Sequence, residues 1–472
     1  MSGYQLGART KYIYGAGATP FGIKENGFSY FLLIFYSQVL GLEPVLASLA
    51  LTIAIAFDAV SDPLIGYMSD NWRSKWGRRH PFMYISIIPV CLSYAVMWSP
   101  PEFVLNDQMM LFTYLVVMAV SIRIFITFYD VPSTALISEL TSDYDTRTQL
   151  MGLRFSFGWL GGIGMAFLAY STFLASSDGE NGILRAAGYA DYGIAASVLM
   201  FIFMVGSSIG THNTISHLHV PPAIEKISAR VVINEILDVA RNRNFLALLL
   251  AAVFFGTASG FQAALSLYFS TFFWELQTSQ LAIFTMFQAV AAVLAVPMAR
   301  WLSKRFDKKR AALGSFIAMF AIGPSMWLSR LAGILPENGD PMLFPMLLTH
   351  NFLQVWIIIV FYILFASMMA DVVEDSAVDT SRRNEGIIFA ARAFAGKMVA
   401  GIGILLAGLV LSLINLPKNA QPSEVDPETM VQLVYLVVPI EAVFYTLAFI
   451  MMRRYQITRA KHGENVEAVA NI

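Results

Sequence analysis

Ala56-Phe57-Asp58-Ala59-Val60-Ser61-Asp62-Pro63, inside the apolar run 44–68, places two carboxylates four positions apart among hydrocarbon side chains. At about 1.5 Å of rise per residue, such positions share one helical face roughly 6 Å from each other. An ionised side chain at the middle of a bilayer costs at least about 2.5 kcal/mol by insertion scales. A pair of them implies a cavity, a counter-charge or a bound cation.

The composition agrees with a membrane setting. Of 472 residues, 57% are hydrophobic and 13% charged, and mean hydropathy is +0.62; soluble domains carry about a quarter charged residues. The formal net charge of -1 gives no reason to expect a nucleic-acid partner. Cys91 is the single cysteine, so no internal disulfide or thiolate cluster can form. The N-terminal stretch lacks the order of basic segment, short apolar core and small-residue site that marks a cleaved signal peptide, so the first span is expected to direct insertion.

Apolar runs near the ~20 residues needed to cross a bilayer fall at 14–41, 44–70, 82–100, 107–139, 148–174 and 189–213, then at 245–274, 278–303, 309–333, 342–370, 385–414 and 432–453. The expectation is an all-α membrane protein with about twelve transmembrane helices in two six-helix bundles. The bundles would comprise 1–211 and 245–472, joined by a cytoplasmic linker, 212–244, in which Val231, Val232, Ile236 and Leu237 among charged residues suggest an amphipathic surface helix. Lys and Arg gather on one face: Arg9, Lys11, Arg73–Arg79, Arg147, the linker, Arg300–Arg310, Arg382, Arg383 and the tail. Only Arg185, Arg330 and Lys418 fall on the other, which predicts both termini in the cytoplasm. Arg73-Ser74-Lys75-Trp76-Gly77-Arg78-Arg79 after the second span is echoed by Ser303-Lys304-Arg305-Phe306-Asp307-Lys308-Lys309 after the eighth, as a duplicated six-helix unit would produce.

Two groups of six spans, a central linker and Gly66-x-x-x-Asp70 leading to Gly77-Arg78-Arg79 resemble the major facilitator superfamily. Within it, Asp58-Ala-Val-Ser-Asp62-Pro63, Arg73-Ser-x-Trp76-Gly77-Arg78, Asp130-Val131-Pro132 and Arg383-x-Glu385-Gly386 followed by Lys397 resemble the glycoside-pentoside-hexuronide:cation symporter family, nearly end to end. The resemblance implies a cation site in which Asp58 and Asp62 supply carboxylate oxygens, with Thr127 and, more weakly, Ser61 as hydroxyl ligands. Hard oxygen ligands suit Na⁺, and a proton could serve instead because adjacent carboxylates repel each other's charge. It also implies a neighbouring sugar site with Asp130 and Arg154, and Lys397 near both. Asp58, Asp62 and Asp130 against Arg154 and Lys397 leave one negative charge, which a monovalent cation would balance. No other cofactor is implied; the superfamily suggests a monomer in an inner-membrane bilayer.

Three further readings follow from the residues. The family's helix-one acid aligns with Gly22, and Glu25 would either replace it or pair with Lys24. Thr134 stands where a stacking Trp is expected, and Tyr362 looks like a substitute for a second aromatic. Arg123 would extend the cavity or pair locally, and Arg392 would meet an anionic group or backbone carbonyls; Glu441, on the last span, has no evident role. Asp70, Arg73, Arg78 and Arg79, with Glu139, Asp143 and Arg147, read as a cytoplasmic gate to which Asp371, Glu374 and Arg383 would pair from the other half.

These features predict a Na⁺- or H⁺-coupled importer of a glycoside, oligosaccharide or uronide, or alternatively of an amphiphile such as a lysophospholipid or another non-sugar organic solute. No phosphate-binding loop argues for a primary pump. No His lies near Asp58, Asp62 or Asp130 in sequence to build an enzyme site.

Overall fold

A computed structural model describes residues 6–141, 143–176, 180–215, 242–380 and 385–457, with Lys461 and Glu464; the side chains of Tyr144, Met398 and 373–395 lie outside the description. The amphipathic-helix expectation for the linker also falls largely outside it.

Helices begin where the sequence supplies caps. The broken first helix, α1, comprises Ala8–Ala16, Thr19–Asn26 and further turns out to Phe35–Val39. It is followed by α2 (Pro44–Asn71), α3 (His80–Met97), α4 (Gln108–Ala135), α5 (Tyr144–Leu168) and α6 (Ala186–His212). The second half holds α7 (Arg243–Tyr268), α8 (Thr278–Arg305), α9 (Lys308–Ile322), α10 (Leu343–Thr380), α11 (Glu385–Leu413) and α12 (Pro427–Arg453). Asp107, Asp143, Asn242 and Asp426 each accept from a first-turn N–H of α4, α5, α7 and α12, at 2.8–2.9 Å. Each cap contributes about 1 kcal/mol to its helix.

Among the described residues, ten helical stretches are long and apolar enough to span a bilayer. The exceptions are instructive. In α1, five-residue π turns at Gly27–Phe31 and Phe35–Val39 interrupt the helix, and α11 lies only in part within the described side chains. At α10 the helix runs ten residues past the apolar stretch 342–370, to Thr380, because Asp371–Thr380 contains no Gly or Pro to stop it.

Lipid supplies no hydrophobic drive between helices, so close approach of small residues must hold them together. A Cβ on Gly22 of α1 would meet the Gly158 carbonyl oxygen of α5 at 1.8 Å, and one on Gly408 of α11 would meet Ser48 Oγ of α2 at 1.9 Å. Larger side chains take over at the end away from the basic loops. There Phe31 and Phe35 of α1 pack with Trp98, Tyr189 and Tyr192; the Trp98 and Tyr189 rings stack at 5.8 Å.

The two halves are tied at that same end. Asn419 N–H donates to Gln38 O at 3.0 Å, Asn181 Nδ2 to Leu276 O at 3.2 Å, Ser176 N–H to Thr278 Oγ1 at 2.9 Å, and Lys418 pairs with Glu43 at 2.6 Å. Ser37 and Tyr268 share a short hydrogen bond across the same seam. At the basic end every described ion pair joins elements of one half.

Replacing Gly22 by Ala or Asp is expected to separate α1 from α5 at a cost of about 1–3 kcal/mol. Thermal unfolding in detergent checks this. An unchanged melting temperature for G22D would refute the close contact and restore the position as a seat for an acid.

Candidate functional site

The second-span acids meet their partners where α2, α4 and α11 converge. Asp58 is 4% exposed. Its Oδ2 accepts from Arg123 Nη1 of α4 at 3.0 Å and lies 3.0 Å from Lys397 Nζ of α11. Asp62 Oδ2 forms a very short ion pair with the same Lys397. Thr127 Oγ1 sits between the carboxylates, 3.1 Å from Asp58 Oδ1 and 3.0 Å from Asp62 Oδ1, and 2.8 Å from Arg123 O. A hydroxyl has one proton to donate. Three acceptor oxygens therefore crowd a fourth oxygen that can satisfy one of them, an arrangement suited to a small hard cation.

Local sequence makes this possible. The spacing of four stacks Asp58 over Asp62, and the same spacing stacks Arg123 over Thr127 on α4. Pro63 has no N–H, so the carbonyl four residues earlier, on Ala59, loses its helical donor beside the acids. Arg123 is fixed: it is 6% exposed, and its guanidinium lies 5.0 Å from the Phe28 ring centre. Lys397 is not, with 32% of its side chain exposed.

Two sequence expectations are corrected here. Arg123 belongs to the acid cluster and not to the wall of the large cavity, and it was missing from the charge count. With it, Asp58, Asp62 and Asp130 face Arg123, Arg154 and Lys397, so the site is balanced without an added ion. Lys397, expected near both sites, contacts Asp58 and Asp62. Ser61 turns its hydroxyl back to Asp58 O at 3.2 Å, because a helical serine readily bonds the preceding turn.

A cavity of about 810 Å³ lies between the halves, in the size range of small-molecule sites. Asp130, Thr134, Arg154, Glu25 and Tyr362 all line it, as the sequence suggested. Arg154 is 7% exposed and is held by Asp130 Oδ1 at 2.7 Å, Ser133 Oγ at 2.8 Å and Thr134 Oγ1 at 2.9 Å, over the Tyr14 ring. Thr134 thus orients Arg154 where a ring was expected. Glu25 pairs with the fully buried Lys24. Sequence reading missed the amides Gln262, Gln288, Asn351 and Gln354 on the opposite wall; four amides inside apolar spans were the available signal. It also missed Trp159, Trp274 and Trp327 as the wall's indoles.

At the basic end, Glu139 receives Arg78 Nε at 2.7 Å and Arg79 Nε at 2.9 Å, and Arg79 also pairs with Asp70. Arg73 donates to Asp70 O at 3.1 Å, Arg147 to Thr141 O at 2.8 Å, and Asp143 caps α5. Asp371 pairs with Lys308 at 2.6 Å inside its own half. Glu374, Arg383 and Arg392 fall outside the described side chains.

Residues 13–459 match the model of a family described as MFS/sugar transport protein. The chain belongs to that family. Among curated relatives, the putative glycoside/cation symporter YagG of Escherichia coli is 24% identical, the match covering 99% of this chain and 95% of the relative. The sodium-dependent lysophosphatidylcholine symporter 1 of Gallus gallus is 23% identical over 99% and 90% of the two chains. The xylose transporter XylE of Escherichia coli, in an inward open conformation, shares the fold with a TM-score of 0.62 at 12% identity, covering 98% of each chain. As a member of the MFS/sugar transport family the chain is a multi-pass membrane transporter of the major facilitator fold and not an enzyme.

Arg123→Gln is expected to strand a buried carboxylate and cost about 3–5 kcal/mol, with much of the loss recovered in the Asp58→Asn/Arg123→Gln double variant. Thermal unfolding of the four proteins in detergent measures the coupling. Strictly additive losses would show that the pair does not act as a unit.

Proposed function

We propose that this transporter is a symporter that brings a glycoside or oligosaccharide inward with a monovalent cation, Na⁺ in the first instance and H⁺ in the second. The observation that carries the reading is the cluster in which Asp58, Asp62, Thr127 and the Arg123 carbonyl turn oxygens toward one another while Lys397, from the other half, holds the negative charge. The cation would compete with Lys397 rather than fill a deficit. When it enters between the carboxylates, the ammonium is released, and the α2–α11 contact between halves changes with it.

The coupling follows from the cost of buried charge. An empty carrier is neutral through Lys397; in a loaded carrier the ion answers the carboxylates and the released ammonium of Lys397 is solvated by the cargo's oxygens. Ion binding without cargo leaves the ammonium without a partner in a closing cavity, which disfavours reorientation. Residues 1–211 and 245–472 would rock about the central cavity as a monomer, with the basic face and both termini in the cytoplasm. The ties at the opposite end support an inward-facing resting state.

Recognition of a sugar is supported by the cavity's amides and by rings such as Trp159, Trp327 and Tyr362, which offer hydrogen bonds and apolar faces together. An amphiphile is the second reading. Gly22, at the position where the family's helix-one acid aligns, favours it, as does the exposure of Phe155 and Trp159 on the cavity wall, at 69% and 50%. The sodium-dependent lysophosphatidylcholine relative is a precedent in the family.

Vesicle uptake of labelled glycosides and lysolipids, with and without a Na⁺ gradient across pH, separates the readings, because true cargo and true ion strengthen each other's binding. Asp58→Asn and Asp62→Asn are expected to abolish Na⁺ stimulation; full stimulation in either would overturn the assignment. Lys397→Ala is expected to tighten Na⁺ binding by about tenfold, a change of about 1.4 kcal/mol, because the ion loses its competitor. Calorimetric titration of the purified protein reads this, and weaker Na⁺ binding would refute competition.

A further inference from the structure

Glu441 of α12 is 3% exposed, lines the cavity, and leaves Oε1 without a hydrogen-bond partner. It lies near the middle of an apolar helix, between the buried Val437 one turn before and the buried Tyr445 one turn after. Tyr445 belongs to a ring cluster, 6.1 Å from Phe255 and 5.8 Å from Phe316. Nothing assigned to the acid cluster or to Arg154 uses this carboxyl.

The helices packed on α12 are α7, α9 and α11. From Phe245 to Tyr268, α7 carries no Asp, Glu, Lys, Arg or His; its Arg243 stands at the basic end, and Tyr268 is bonded to Ser37. The cations of α9, Lys308, Lys309 and Arg310, lie at the basic end, the first on Asp371 and the second on Arg453 O. On α11, Lys397 is held by Asp58 and Asp62, while the side chains of Glu385 and Arg392 lie outside the described residues. Glu428, Tyr435, Tyr445 and Arg453 are the other titratable groups of α12 itself, with Glu428 and Arg453 at its two ends. Across the cavity, α10 presents Tyr362 and His350, the latter bonded to Ile322 O at 2.7 Å. Among the described residues, then, no cation pairs with Glu441.

An ionised carboxyl without a counter-charge at that depth is strongly disfavoured, whereas the acid form is neutral and carries an O–H to donate. We infer that Glu441 is a proton-binding site of the transport cycle, distinct from the Asp58–Asp62 cluster, which offers its O–H to cargo from the second half of the cavity. The proton is taken from water by the carboxylate while the cavity is open and returns to water when the carboxyl is next wetted; no other group is consumed. The transport consequence rests on the symport reading above, but the protonation does not.

Infrared spectroscopy of the purified full chain at neutral pH, without substrate, tests the protonation. A carbonyl band of a protonated carboxyl is expected in the wild type and in Asp58→Asn/Asp62→Asn, and is expected to disappear in the near-isosteric Glu441→Gln. Loss of a carboxylate band instead, or no change in Glu441→Gln, would overturn the assignment and mark Glu441 as an ionised seat for a cationic group. Glu441→Asp provides a folded control, since it should shift the band rather than remove it. With whichever labelled glycoside or lysolipid the vesicle assay identifies, one linked proton weakens cargo binding by up to about tenfold per pH unit on the alkaline side. That dependence is expected to vanish in Glu441→Gln while Na⁺ stimulation persists. An unchanged pH profile would refute the role in transport even if the infrared band were found.

Discussion

Neutrality of the buried acids is the constraint on which the rest of the molecule depends. Asp58 and Asp62 are answered by two cations of different character. Arg123 arrives from α4 of the same half, is buried, and is packed over Phe28. Lys397 arrives from α11 of the other half, on a flexible stem and partly exposed. One countercharge is buried within its own half and the other is partly exposed on the facing half. A site built from two fixed arginines would have no room for an ion, and one with no cation would be too costly to close.

That division places the electrostatics on the seam between halves. The α2–α11 contact is among the tightest in the molecule: Gly408 lies against Ser48, and Thr52 donates to Gly401 O at 2.9 Å. The lysine bridging this seam sits on the turns just before Gly401, toward the basic end. A change of charge at Asp58 and Asp62 therefore acts where the halves already touch, without a relay through intervening elements. At the sealed end, by contrast, the ties are neutral hydrogen bonds apart from Lys418 and Glu43, so that they can break without stranding buried charge.

Span positions were legible in the sequence because hydropathy over ~20 residues is a collective property that no single neighbour overrides. Helix ends matched their caps within a few residues. The π turns of α1 were not legible, since they depend on how α1 packs against other helices rather than on local propensity. The acids announced themselves by their position in lipid, and so did Asp130 and Arg154. Arg123 was visible as a residue with two open roles, cavity wall or local pairing, and its spacing of four from Thr127 is what aligns it with the acids. Glu441 was noticed and left unexplained; isolation in sequence gives no partner to reason from, and the structure adds that none is described in space either.

The pairing of the cavity's charges bears on its cargo. Asp130 is committed to Arg154, and Glu25 to Lys24. Among the described wall residues only Glu441 stands apart, and in its acid form it is neutral. An anionic cargo such as a uronide would have to pull Arg154 away from Asp130, Ser133 and Thr134 and leave a carboxylate stranded, at the cost of a buried charge. A neutral polyol asks for none of this. It can accept from the Arg154 guanidinium edge and donate to Asp130 without separating them, while the amides of Gln262, Gln288 and Gln354 serve its other hydroxyls. On the proposed sugar reading, the wall's electrostatics thus favour an uncharged glycoside over its oxidised counterparts.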